Sequence, residues 1–341
     1  MNIQIQSTLG KRALESTREL RKLCDAGTDW VRINMSHTRH DDAEDIVGWL
    51  RRSAPKVRIL LDLQGPKLRV GKMLREQRIR PGDNVAFCTQ ACYNQAPPRD
   101  RDAQRMIPVA SPFPFANLFT AEVFRLKDGQ VEFTVEKRVP EHEVLICEAT
   151  GSGVIRSEKG LNAPGIDRTG APLPAKDLGD IDLGQRLGVD AICCSFVTTG
   201  AEMRQARDRV ASLSSGWRPQ VWGKVECREA MAHLDAIIAE SDCVLIGRGD
   251  LTGELGGDPE VVHAAALAIA RQVVAAGKPC AVGTGLLESM RTALAPSDEE
   301  LAALHDYLRV GVTGFLLTAE TSVGEHPVEA IQTLRRIADA G

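Results

Sequence analysis

No apolar run in this 341-residue sequence approaches the roughly 18 residues that a membrane-spanning helix needs. The first residues, MNIQIQSTLGKRAL, lack the long apolar core of a secretory signal. Excess positive charge is also missing. Net charge is −4, so neither nucleic acid nor a membrane surface is an expected partner. There is no internal repeat and no low-complexity stretch. The nine cysteines do not form a ligand pattern: Cys88 and Cys92 could be half a metal site, but no second half follows, and a zinc site is not expected. Cys193, Cys194, Cys243 and Cys280 fall in expected strands and read as reduced, buried, small apolar residues of a cytoplasmic protein. No GxGxxG motif opens a helix after the first strand, which argues against a dinucleotide-binding fold.

What is present is alternation. Strand patterns at 3–7, 30–34 and 57–62 are separated by amphipathic helix patterns at 14–24 and 41–52. From about residue 71 to 158 the pattern changes to short β-like runs (DNVAFCT, AEVFRL, QVEFTVE, EVLICEA) between turn signals such as PGD, KDG and GSG. QAPPRDRDAQRM reads as an exposed loop inside it. Alternation then resumes, with helices at 176–187, 203–213, 259–276 and 298–308, and a closing helix in HPVEAIQTLRRIADA. The length and the count of about eight strands favour a (β/α)8 barrel over an open sheet. The expected division is a barrel from 1–70 and 159–341, with an all-β lid at 71–158 inserted after the third strand.

Residues 221–257 organise the chain. They read as strand, helix, strand, the strands ending in Lys224 and Glu226 and in Arg248 and Asp250. Parallel strands joined by a helix bring their C-terminal ends to one rim. An ammonium beside two carboxylates there suits a divalent metal and an anionic substrate. Other polar residues accumulate at the same expected rim: Arg32, Asn34, Ser36, His37, Asp62, Ser195, Thr284, Thr318 and Glu320.

On these residues the sequence resembles the pyruvate kinase family, in order through nearly the whole chain. VRINMSHT is similar to the family's ARLNFSHG, LLDLQGPKLR to LLDTKGPEIR, EKGLNAPG to KKGVNLPG and AICCSFV to IAASFV. GKVECREA is similar to AKIENQEG, GRGDLTGELG to ARGDLGVEIP, GTGLLESM to ATQMLESM and LLTAETSVGEHPVEA to MLSGETAKGKYPVEA. The resemblance implies phosphoryl transfer from phosphoenolpyruvate to ADP, with Mg²⁺ or Mn²⁺. It implies Glu226 and Asp250 as metal ligands, Lys224 as catalytic lysine, Arg32 on the phosphate and Thr284 beside the carbon that becomes methyl. Backbone N–H groups at Gly249 and Asp250, with Ser195 nearby, match the substrate cradle. Arg69, His37, Lys159 and Asn34 match nucleotide-side positions, and Asp128 matches the lid's acidic residue. Any association between copies is expected through barrel surfaces. A metal-dependent lyase or aldolase passing through a pyruvate enolate is the alternative, because a barrel does not fix its chemistry.

Departures from the family pattern carry their own expectations. The sequence stops at Gly341, where the family continues into a regulatory domain, so control by sugar phosphates is not expected. Gln64, Gly285, Gly247 and Thr198 replace usual lysine, glutamine, alanine and a basic residue, and TLGKRAL lacks the usual TIGP proline. Leu63, Gln64, Lys67 and Val70 match the branch of the family that works without K⁺. K⁺ is therefore not expected to be required: the ammonium of Lys67 would supply that charge, where other members bind K⁺ through positions matching Asn34, Ser36, Asp62 and the Leu63 carbonyl.

Overall fold

The structure, a computed structural model, describes every residue except 1–2, 11–12, 14, 96–104, 127–130, 170, 172, 214–215 and 341. Eight strands close into one parallel barrel: β1 (Gln4–Thr8), β2 (Trp30–Asn34), β3 (Arg58–Asp62), β4 (Ala191–Cys194), β5 (Gln220–Val225), β6 (Cys243–Gly247), β7 (Cys280–Gly283) and β8 (Gly314–Leu317). Each pairs with its successor, and Gln4 of β1 opposite Gly314 of β8 closes the ring. Most strand residues are buried because a barrel strand is covered on both faces; β4, β6, β7 and β8 carry no charged side chain, whereas β1, QIQST, is largely polar.

The period of two along a strand explains both the core and the site. One set of side chains points inward. Trp30, Leu60, Ala191, Cys193, Trp222, Cys243, Leu245, Ala281 and Leu316 fill the barrel as one cluster. Trp30 and Trp222 meet edge to face at 5.1 Å near its lower end. The other set, including Val31, Ile59, Leu61, Ile192 and Val244, joins the helices in the main core. Stepping by two up the inward face leads from Trp30 to Arg32 and Asn34, from Leu60 to Asp62, from Cys193 to Ser195, and from Trp222 to Lys224 and Glu226. The apolar interior thus turns polar within one step, at the C-terminal mouth.

The helices are set by caps as well as by apolar stripes. Thr199 with Glu202, and Ser297 with Glu300, form capping boxes at helices Gly200–Ser212 and Asp298–Val310. The 14–24 helix pattern is interrupted at Ser16, which accepts from the Glu19 N–H and caps helix Thr17–Asp25; Glu15 before it is helical as well. Two further corrections fall in the central unit. The expected single helix between β5 and β6 is split at His233 into Arg228–Ala232 and Leu234–Glu240. The strand read through to Asp250 stops at Gly247, and Arg248–Leu255 is a helix whose first turn holds Gly249 and Asp250.

Between β3 and β4 the chain leaves the barrel and builds a second core. Seven strands run in the order Leu161–Asn162, Val123–Leu126, Val131–Val139, Val144–Ala149, Asn84–Thr89, Arg105–Ala110, Arg69–Val70. Phe87 sits at their centre, stacked on Phe124 at 4.7 Å and edge-on to Phe133 at 5.1 Å. The outgoing and returning segments lie side by side: Val70 N–H donates to the Lys159 carbonyl, Glu158 N–H to Val70, and Leu161 N–H to Leu68. Helix Gln90–Gln95 and strand Arg105–Ala110 were not expected from the sequence. Most of the expected exposed loop lies outside the described residues.

Candidate active site

The polar mouth of the barrel lines a cavity of about 270 Å³. Its walls carry five cations, Arg32, Lys67, Arg69, Lys159 and Lys224, against three carboxylates, Glu158, Glu226 and Asp250. Such a surplus favours a polyanion.

Asp62 is the anchor. It is fully buried at the end of β3. It accepts from Arg32 Nε at 2.6 Å, from Ser195 Oγ at 2.9 Å, and from Lys224 Nζ at 3.0 Å to each oxygen. Burial alone would raise its pKa, but the charges of Arg32 and Lys224 overcome it and hold the carboxyl down at about 2. Burial pulls the Lys224 ammonium down, yet Asp62 and then Glu226 more than restore it, so the lysine stays charged. Arg32 is further fixed by Thr8 of β1, at 3.0 Å. Two cations are therefore held in place before any ligand arrives.

Glu226 and Asp250 face these cations. Glu226 Oε1 lies 3.4 Å from Lys224 Nζ, and Oε2 accepts the Phe196 N–H at 3.1 Å. That N–H points at Glu226 because Phe196 adopts a left-handed backbone, φ 55°. A side chain on Gly247 would meet Glu226 Cγ at 2.6 Å, so the bare glycine leaves the glutamate its room. Burial pushes the Glu226 carboxyl up to about 7, against Lys224 and with Asp250 adding to the rise. Asp250 goes the other way: burial opposes its charge, but the Lys67 ammonium on Oδ1, at 2.5 Å, prevails. The two carboxylates differ because only one has a lysine bonded directly to it.

Thr284 sits at the end of β7 with φ 77°, a conformation costly for a threonine and frequent at functional sites. Its Cγ2 packs over Gly249, where an added Cβ would approach it to 2.9 Å. Arg69 donates to Ser36 Oγ at 3.2 Å and to the Glu158 carbonyl at 3.0 Å. His37, on the exposed side of the cavity, is held below its usual pKa by partial desolvation and then by Arg69, Lys159, Arg32 and Lys67. Arg69, His37, Lys159 and Asn34 line the cavity with the residues above. Asp128 lies outside the described residues. Glu320 supports the site rather than lining it: it accepts the N–H groups of Leu286 and Leu287 at 3.1 Å and of Thr318 at 2.8 Å, tying the β7 and β8 ends together.

Sequence reading missed a supporting layer. Asp177, at the start of helix Ala175–Leu187, accepts from the N–H groups of Gln64 at 3.1 Å and Gly65 at 2.8 Å and fixes the turn before Lys67. Asn162 Nδ2 lies 3.5 Å from both Asp250 Oδ1 and Glu254 Oε1, and buried Arg168 donates to Glu254 at 2.9 Å and Glu229 at 3.2 Å. The signal available was a pair of acids, Glu229 and Glu254, on helices that otherwise bury apolar residues.

Fold and mouth together make an α/β barrel with a cationic cavity at its strand C-termini, where barrel enzymes carry their active sites. A family model described as "Pyruvate kinase, barrel domain" matches residues 1–331. A pyruvate kinase of Agrobacterium vitis is 30% identical over 345 residues, covering 98% of this chain and 67% of its own length. Pyruvate kinases of Mycobacterium tuberculosis (30% over 340 residues; 98% and 69%) and Methylorubrum extorquens (32% over 343 residues; 98% and 68%) align similarly. The chain belongs to the pyruvate kinase family, and the protein is a phosphotransferase.

Proposed function

We propose that this chain transfers the phosphoryl group of phosphoenolpyruvate to ADP, giving pyruvate and ATP. The observation that carries this reading is the pair of buried cations, Lys224 and Arg32, held on Asp62 opposite Glu226 and Asp250. Phosphoryl transfer asks a protein mainly for positioning and charge neutralisation. Lys224 faces the enolate oxygen that forms as the phosphoryl leaves, and Arg32 holds the phosphate. The N–H groups of Gly249 and Asp250, in the first turn of helix Arg248–Leu255, take the substrate carboxylate. Thr284 stands where the enolate carbon gains its proton, and Ser195 steadies Asp62. Arg69, His37, Lys159 and Asn34 receive the nucleotide. The β-rich segment, 71–158, acts as the lid: Arg125 donates to the Gly253 carbonyl at 3.1 Å, next to the helix turn that bears Asp250.

The oxygen-only donor set at the mouth fits a hard divalent cation. Glu226 and Asp250 are near enough to raise one another's cost of ionisation, and two carboxylates leave positions for water and substrate. Mg²⁺ or Mn²⁺ there would supply Lewis-acid stabilisation of the enolate and phosphoryl oxygens. Among the described residues no group of three or more His, Cys, Asp or Glu side chains could hold a metal, so Glu226 and Asp250 would need water or substrate to complete a site.

The reaction proceeds without K⁺. Three expected monovalent-cation ligands already have protein donors: Asn34 Oδ1 accepts the Ser36 N–H at 3.1 Å, Ser36 Oγ accepts from Arg69, and Asp62 is taken by Arg32 and Lys224. Lys67 brings a covalently tethered positive charge to the same cavity. All nine cysteines are free thiols, which suits cytoplasmic work. The test is pyruvate release from phosphoenolpyruvate in tetramethylammonium buffer with Mg²⁺, with and without ADP, followed by KCl titration. The reading expects release only with ADP and a KCl effect under about tenfold, or 1.4 kcal/mol in barrier. Release without ADP overturns the acceptor, and a larger KCl effect overturns the role of Lys67.

A further inference from the structure

Of the two carboxylates proposed for the metal, one is set by the fold and the other is occupied. Glu226 is 4% exposed and fixed by the Phe196 N–H and by Lys224. Asp250 is instead closed by Lys67, whose Nζ lies 2.5 Å from Oδ1. Its only other side-chain partner among the described residues is Asn162 at 3.5 Å. The Lys67 stem is guided rather than locked. It passes Gly160 at the lid junction, where an added Cβ would lie 2.7 Å from Cε, and its ammonium stands 5.0 Å over the Phe196 ring. Lys67, Asn34, Ser36 and Leu63 line one cavity, so the ammonium has polar space within a side-chain swing.

We infer that Lys67 is a displaceable internal counter-ion that holds Asp250 until a divalent cation and the substrate phosphate together draw it away. An ammonium and a divalent cation cannot share one carboxylate oxygen without strong like-charge repulsion. A divalent cation bound through Oδ1, or through both oxygens, therefore has to expel Lys67, and one on Oδ2 alone is still repelled by it. The expelled ammonium needs an anion, and the enol phosphate in the same cavity supplies one. The consequence is thermodynamic linkage: phosphoenolpyruvate tightens divalent-cation binding, and the cation tightens phosphoenolpyruvate by the same factor, through one lysine. The same exchange delivers positive charge beside the phosphate only once the metal is in place. This inference rests on the proposed metal role of Asp250.

The test is Mn²⁺ binding to the whole chain, read by electron paramagnetic resonance without turnover. Titrations are run on wild type, Lys67→Met, Lys67→Gln and Asp250→Asn, each with and without phosphoenolpyruvate and without nucleotide. Circular dichroism checks folding. Removing the internal cation should tighten Mn²⁺ about tenfold or more in the absence of substrate. It should also shrink the tightening caused by phosphoenolpyruvate to less than about threefold. A merely structural lysine would weaken both. Unchanged or weaker Mn²⁺ affinity in both Lys67 variants, with undiminished coupling, overturns the inference while leaving the metal site standing. Wild-type Mn²⁺ affinity in Asp250→Asn overturns the metal site itself.

Discussion

Replacing Asp62 by asparagine should cost about 3–5 kcal/mol of stability at pH 7, the range expected when one partner of a buried charge pair is removed. The magnitude can be built from the site. Asp62 is the shared anion of Arg32 and Lys224, both largely buried. Its carboxyl is held at about 2 rather than the ordinary value of about 3.8, in spite of burial. At 1.36 kcal/mol per unit, ionisation in the fold is favoured by about 2 kcal/mol over the unfolded chain. Asparagine loses that and adds an amide donor facing a cationic donor, a further 1–3 kcal/mol or so. The pH dependence has a definite sign. A depressed folded pKa contributes stability that is present above about pH 4 and lost as pH falls through about 2. The gap between wild type and Asp62→Asn should thus be constant from pH 5 to 8 and narrow below pH 4. Urea unfolding across pH measures it. A loss under about 1 kcal/mol at pH 7, or a gap that widens in acid, would refute the reasoning.

Asp177 should behave with the opposite sign. Burial raises its carboxyl to about 6, so its contribution is full below about pH 4 and is lost as pH rises through 6. The advantage of wild type over Asp177→Asn should therefore fall by about 3 kcal/mol across that window, by urea unfolding. Glu226→Gln and Asp250→Asn should each lower turnover at limiting Mg²⁺ by a hundredfold or more with the circular dichroism spectrum unchanged, since amides are weak ligands for it; wild-type rates would remove the site. Lys224→Met should stop phosphoryl transfer while metal-dependent exchange of the pyruvate methyl protons, followed by proton resonance in deuterated water, persists. Gly65→Ala should cost more than about 2 kcal/mol in thermal unfolding, because φ is 69° and the new Cβ would lie 2.3 Å from the Ser195 carbonyl oxygen.

The barrel was readable because its signals are local. Alternating strands and helices follow from apolar periodicity, and the step of two along each strand carries Arg32, Asp62, Ser195 and Lys224 to one mouth. What escaped was the pairing that only three-dimensional proximity sets. Nothing near Asp177 in sequence says that it accepts from the turn at Gln64, more than a hundred residues away. Nothing around Lys67 says that its ammonium rests on Asp250 rather than beside Asn34 and Ser36. The helix break at His233 and the early end of β6 at Gly247 were hidden for another reason. GRGD continues an apolar run into a helix start with no Ser, Thr, Asn or Asp cap to announce it.

The most direct test of the central claim is phosphorus resonance on the purified chain with phosphoenolpyruvate, ADP and Mg²⁺ in K⁺-free buffer. The account expects the enol phosphate signal to decay as the terminal phosphate of ATP grows in equal amount, with one pyruvate formed per ATP. Persistence of phosphoenolpyruvate, or its loss to inorganic phosphate with no ATP, would contradict it.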